Sequence, residues 1–155
     1  MKCHFDMSFA GQSAHVLGNI NSFLFGGQIC EALICLERSV LLDPTNMFAM
    51  HARGLVLLYL QRYIEVIGVM DYSISVLPRT SDISKFFALK AEAQYRMEMD
   101  EYAVISCDNG ISLDPKCQPA WRLKIQALIR LGLIEESRRA LDSARKHIPG
   151  FVSPI

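Results

Sequence analysis

The chain has no long apolar run, no lysine-bearing glycine loop, few strand signals and no excess of either charge. Each absence excludes something. The apolar stretch Leu55–Leu60 is far shorter than the ~20 residues that cross a bilayer, so no membrane span is expected. The first ten residues carry one lysine and no long apolar core, which is not the pattern of a secretory signal. Gly26-Gly27 lacks the lysine and flanking pattern of a phosphate loop and reads as a turn. No run of alternating β-branched residues lies between tight Asn-Gly or Asp-Gly turns, which argues against a sheet protein. The five cysteines (Cys3, Cys30, Cys35, Cys107, Cys117) are odd in number and without framework spacing, so they read as reduced thiols of an intracellular, cytoplasm-like compartment. Cys3-His4 and Cys30…Cys35 do not form the converging pairs of a structural zinc site, and His15, His51 and His147 lie far apart in sequence. No metal, cofactor or catalytic group is expected, and the chain reads as no enzyme. Asp100-Glu101 and Glu135-Glu136 fit helix starts, where acidic side chains favour the positive end of the dipole.

What the chain does have is a period. Pro44, Pro78, Pro115 and Pro149 are spaced by 34, 37 and 34 residues, and a fixed spacing of that size marks a repeat architecture. Leu42-Asp43-Pro44 and Leu113-Asp114-Pro115 match outright, while Val76-Leu77-Pro78 and His147-Ile148-Pro149 are looser copies. Proline lacks an N–H and restricts the residue before it, so a helix ends at each phrase and a new unit begins.

Counting back from each proline tests the repeat. Five residues upstream stand Ser39, Ser73, Gly110 and Ala144, all small; eight upstream stand Leu36, Met70, Cys107 and Leu141, all able to fill a core. Twelve upstream stand Ala32, Val66, Ala103 and Ser137. Offsets of three and four place these on one helical face, where small residues let backbones approach and a large one plugs the groove beside them. An earlier helix shows a weaker pattern: Val16, Met50, Phe87 and Trp121 at one position, then Ile20, Gly54, Ala91 and Ile125. The first unit fits better if Leu17-Gly18-Asn19 is moved two places, lengthening its turn through Phe25-Gly26-Gly27-Gln28. The third unit carries three extra residues around Arg79-Thr80-Ser81-Asp82, where a loop can absorb them.

These phrases resemble the tetratricopeptide repeat (TPR) family, whose 34-residue unit has a Trp–Leu–Gly–Tyr pattern on its first helix, then Ala–Phe–Ala and a closing proline on its second. Arg53-Gly54, Lys90-Ala91 and Ala120-Trp121 carry the first-helix likeness, and Tyr63 and Tyr102 lie near the start of the second helices. The resemblance covers roughly residues 11–150. It implies an all-α, right-handed α-solenoid of antiparallel helix pairs, about eight helices in four repeats at 11–46, 47–82, 83–117 and 118–150. An N-terminal segment of residues 1–10 and a tail of 151–155 flank this single domain. The helix-periodic stretches predict helices at 11–25, 28–41, 47–60, 63–76, 83–97, 100–113, 118–131 and 134–147. Asn46, Asp82 and Asp100 are the expected N-caps.

In such a solenoid the first helices of successive units line a continuous inner face. By register, the second unit contributes Phe48, His51, Leu55, Leu58 and Tyr59. The third adds Lys85, Ala88, Glu92, Tyr95 and Arg96, and the fourth adds Arg122, Gln126, Ile129 and Arg130. An apolar, aromatic wall grading into a basic one suits an amphipathic helix or an extended peptide with acidic residues at one end. Some TPR proteins hold the acidic tail of heat-shock chaperones through a carboxylate clamp of Lys, Asn and Arg; the matching positions here are His15, Asn19, Ala52, Lys85 and Leu89. Only Asn19 and Lys85 fit, and Ala52 and Leu89 cannot donate hydrogen bonds, so that role is disfavoured.

Residues 116–146 hold eight basic side chains against Glu135, Glu136 and Asp142, a patch explained by a solvated helix face better than by nucleic acid, for which no recognition module is present. The tail is too short for a solvating helix, so Ile134, Leu141 and Ile148 are expected to stay partly open; with 51% hydrophobic residues, that points to an interface with other proteins or with a second copy through the solenoid ends. The expected function is a non-catalytic protein–protein interaction adaptor that holds a partner's peptide or helix in its groove. The alternative is an obligate structural subunit of a large intracellular assembly.

Overall fold

Two kinds of helix stop alternate along the described residues, and those stops make the fold. A computed structural model describes residues 29–154. It contains seven helices among the described residues: α1 (Ile29–Leu42), α2 (Met47–Tyr59), α3 (Tyr63–Val76), α4 (Ser84–Arg96), α5 (Asp100–Leu113), α6 (Gln118–Arg130) and α7 (Ile134–His147). They agree with the periodic stretches to within a residue or so. The expected helix at 11–25 lies outside the described residues. The helices pack in sequence order as antiparallel neighbours of a right-handed α-solenoid, with the first helices α2, α4 and α6 also in contact across units.

Within each pair, the first helix ends on a residue of left-handed conformation: Gln61 (φ 58°), Glu98 (φ 61°) and Gly132 (φ 75°). All three stand seventeen residues before their proline. The next N–H reaches back five residues, Arg62 to Leu57, Met99 to Gln94 and Leu133 to Leu128, each at 2.9 Å. That bond, with the shorter one inside it, satisfies the free carbonyls and reverses the chain. Between units the prolines do the reversing. Asp43 accepts from the N–H and hydroxyl of Thr45, and Asp114 from the N–H of Lys116 at 2.9 Å. This is why Leu-Asp-Pro recurs there: the aspartate closes the turn that the proline opens.

The small and large positions fall where the counting put them. Val66, Met70, Ser73, Ala103, Cys107, Gly110, Ser137 and Ala144 are all buried. Met50, Phe87 and Trp121 fill the interior from the first helices, with Gly54, Ala91 and Ile125 one turn on. Leu141 is only half-buried, and Ile134 remains exposed. The extra residues before α4 form a short 3₁₀ turn, Ser81–Ile83, that buries Ile83 completely. An insertion expected as plain loop therefore plugs the core. The tail also contributes: Phe151 is buried against the cluster of Trp121, Ile125, Leu128, Ala140 and Ala144.

Two of the three expected N-caps differ. Asn46 does cap α2, its Oδ1 accepting the Ala49 N–H at 2.9 Å. Asp82 lies inside the 3₁₀ turn and caps nothing, because Ile83 precedes α4. Asp100 is the first residue of α5, after Met99, and its carboxylate is taken by an arginine thirty residues away.

Candidate functional site

The inner face is built from register positions that recur along α2, α4 and α6. None of the twelve expected contact residues is buried: Phe48, Tyr59, Lys85, Arg96, Arg122 and Arg130 are exposed, and His51, Leu55, Leu58, Glu92, Tyr95 and Gln126 are half-buried. Ala88, also expected there, is instead buried with Ala91, Cys107, Cys117, Ala120 and Leu123, because α6 packs across α4 at that point. Ala52 and Leu89, two of the failed clamp positions, are core residues as well. His15 and Asn19 lie outside the described residues.

The apolar end is open. Phe48 is 41% and Tyr59 56% exposed, while Leu55 and Leu58 rest on the core cluster with their outer sides uncovered. His51 sits between the two helices, edge-on to Phe86 with ring centroids 5.4 Å apart. Burial of the ring, helped by the Lys85 charge, lowers its pKa from 6.5 to about 4. The neutral ring therefore acts as part of the apolar wall at neutral pH. A folded-state pKa below the unfolded value means that the unfolded chain binds the proton first as pH falls. The His51 contribution is fully present above pH 6.5 and is lost between 6.5 and about 4. Discounted for solvent access to a half-buried ring, it is on the order of 2 kcal/mol. Thermal melts across that window are expected to fall more steeply for the natural chain than for His51→Phe; parallel curves would contradict this placement.

The basic end is less free than the sequence suggests. Arg96 donates to Glu92 of its own helix at 2.8 Å, and Lys85 lies 3.6 Å from Asp82. Arg130 stacks on the Tyr95 ring at 3.8 Å, donates to the Tyr95 carbonyl, and forks onto both oxygens of Asp100. Arg122, beside Gln126, has no ion pair among the described residues. The Tyr95–Arg130–Asp100 knot joins the end of α4, the start of α5 and the end of α6. Nothing in the repeat pattern points to it, since the pair is thirty residues apart.

On the outer side, a cavity of about 360 Å³ lies between α5 and α7, floored by Trp121 and Leu128 of α6. Trp121 donates its indole N–H to the Pro115 carbonyl at 2.9 Å, and Lys124 lies 5.7 Å from its ring while pairing with Asp108. Among the described residues no cluster of histidine, cysteine and carboxylate side chains could hold a metal, and no helix is long and apolar enough to cross a membrane. Burial pushes the Cys107 thiol well above the ordinary thiol range, so it is an inert core residue.

A stack of helix pairs with an uncovered inner face defines a repeat-solenoid protein. Its sequence matches no protein-family model and no curated protein. Its structure does have likenesses. The crystal structure of MamA is 15% identical and superposes with a TM-score of 0.71, over 84% of this chain and 74% of that one. MamA (41-end) from Desulfovibrio magneticus RS-1 is 16% identical, with a TM-score of 0.67 over 80% and 68% of the two chains. YrrB, described as a TPR protein with an unusual peptide-binding site, is 16% identical, with a TM-score of 0.63 over 84% and 66%. At these identities the likeness carries the fold alone. The chain has the tetratricopeptide-repeat fold.

Proposed function

We propose that the protein is a non-catalytic adaptor whose inner face holds a peptide or helix of a partner protein. The observation that carries this reading is the open apolar wall of Phe48, Leu55, Leu58 and Tyr59 on successive turns of α2, continued by Tyr95 and Gln126 on α4 and α6. A monomeric solenoid gains nothing by exposing such a wall to water, whereas an anchored segment would cover it. The peptide-binding site attributed to YrrB supports the use of this fold for that purpose. Arg122 is the cation best placed to meet an acidic residue at the far end of the ligand, since Arg96 and Arg130 are already paired. Cys30, Cys107 and Cys117 are free thiols, which favours a reducing, intracellular compartment.

A second reading, a permanent subunit of a larger assembly, draws on the outer faces. Ile64 and Tyr72 of α3 and Tyr102 and Ile105 of α5 are exposed there. Recovery from native cells separates the two: an adaptor behaves alone, and a subunit comes in fixed stoichiometry. Once a binding segment is identified, Leu55→Glu or Tyr59→Glu is expected to weaken it by ~10–100-fold, the size of a hot-spot loss. Helical circular dichroism should be unchanged. Unchanged affinity in both variants would move the site elsewhere.

A further inference from the structure

All three described junctions between units carry one and the same ion pair. Arg53 of α2 meets Glu37 of α1 at 3.3 Å, Lys90 of α4 meets Asp71 of α3 at 2.6 Å, and Lys124 of α6 meets Asp108 of α5 at 2.6 Å. Each acid stands seven residues before its own proline, and each base twenty-five before the next one. The base occupies the place where the family pattern has leucine. A fourth acid completes the series: Asp142 of α7, seven residues before Pro149. It is exposed, and no base pairs with it among the described residues.

The positions around Asp142 have changed in a consistent way. Eleven and four residues before the proline, the earlier second helices carry Leu33, Ile67 and Val104, then Val40, Ile74 and Ile111. These pack into the core clusters. In α7 the same positions are Arg138 and Arg145, both exposed. At the α5–α6 junction, Asp108 and Val104 line one groove with Trp121, Lys124 and Leu128. Trp121 and Leu128 flank the base one turn to either side. On α7 an acid still calls for a base, but an arginine replaces the valine, so the flanking apolar residues would meet charge.

We propose that the outer face of α7 docks one helix of a partner protein, bearing a Lys or Arg with an acidic residue three positions before it and another four after it. Charge complementarity selects this occupant. An apolar helix would bury Arg138 and Arg145 without partners. Among the described residues the competing ion pair on this face is that of Arg138 with Glu135 at 3.3 Å, an exposed pair that exchanges at little cost. This face is separate from the inner groove.

The test uses a stapled helical peptide of residues 118–130 carrying Trp121→Glu and Leu128→Glu, with Lys124 kept, labelled for fluorescence anisotropy. Titrated with the full chain at low salt, it is expected to bind saturably, and Asp142→Lys should weaken it by ~10-fold or more. The peptide with Trp121 and Leu128 intact should bind less tightly by a similar factor. Leu55→Glu, which disables the groove, should leave the affinity unchanged. Absence of saturable binding, or equal affinity for Asp142→Lys, overturns the proposal. So does a sedimenting dimer of the natural chain that Asp142→Lys dissolves, because the occupant would then be a second copy.

Discussion

Gly110→Leu is expected to lower the stability of the chain by about 3 kcal/mol or more and its melting temperature by roughly 10 °C. Gly110 lies inside α5 near its C-terminal end, where glycine by itself disfavours a helix by up to about 1 kcal/mol relative to alanine. It is there because α4 crosses it at close range. A Cβ at this position would stand 3.2 Å from the Phe87 Cβ and 3.2 Å from the Ser84 carbonyl oxygen. The second contact is with backbone, which cannot swing aside as a side chain would. A leucine must push α5 off α4, and these two helices form the most extensive packing among the described residues. Gly68 is the control. It sits in α3 with nothing within 4 Å of an added Cβ, so Gly68→Ala is expected to stabilise by about 0.5–1 kcal/mol through helix propensity alone. Denaturant titrations of both variants measure the contrast. A Gly110→Leu chain as stable as the natural one would mean that α4 and α5 do not cross there.

The repeat was legible because the same physical constraint acts at every junction and leaves the same mark. Proline ends a helix, a small residue lets the partner approach, a large one fills the groove, and these recur at Pro−5, Pro−8 and Pro−12. Helix bounds and the burial of Met70, Cys107, Ser73 and Ala144 follow from that count. The turn inside each pair was harder to read. Its left-handed residue is a glycine only at Gly132, while Gln61 and Glu98 hold the same conformation without advertising it. Caps were misread where a carboxylate had two potential uses. Asp100 looks like a helix opener by position, yet a guanidinium thirty residues on competes for it and wins by geometry. The inner face was legible as a register and not as chemistry: the count placed Arg130 and Arg96 on it, but only coordinates show that their charges are already used. Ala88 was misplaced for a related reason, since a 3.6-residue period does not say which flank of a helix the next unit covers. The junction ion pairs were in plain view at Pro−7 and Pro−25 of the next unit. They join positions of different repeats, which a count within one repeat does not connect.

Arg130→Met is expected to cost about 3 kcal/mol, a loss typical of stranding the buried member of an ion pair. The asymmetry between the partners sets this size. The Arg130 side chain is 35% exposed and its stem lies over Tyr95, so methionine can replace much of its packing. Asp100 is only 9% exposed and receives both guanidinium bonds, so without them it keeps a charge that water can barely reach. The first turn of α5 offers some compensation through the helix dipole, worth less than about 1 kcal/mol. Asp100→Asn in the Arg130→Met background removes the stranded charge, and the double variant should therefore recover a large part of the loss. Such a recovery is a coupling between residues thirty apart, measured by a double-mutant cycle in urea. Additive losses would show that the two side chains act independently and that the knot does not hold α4, α5 and α6 together. If the coupling is present, the inner face also responds: with Arg130 gone, Tyr95 loses the cation stacked on its ring, and the groove's far wall loosens while Phe48, Leu55 and Tyr59 keep their places on α2. A ligand anchored on α2 would then lose its distal contacts first, so truncating the ligand's acidic end should weaken binding to the natural chain more than to Arg130→Met.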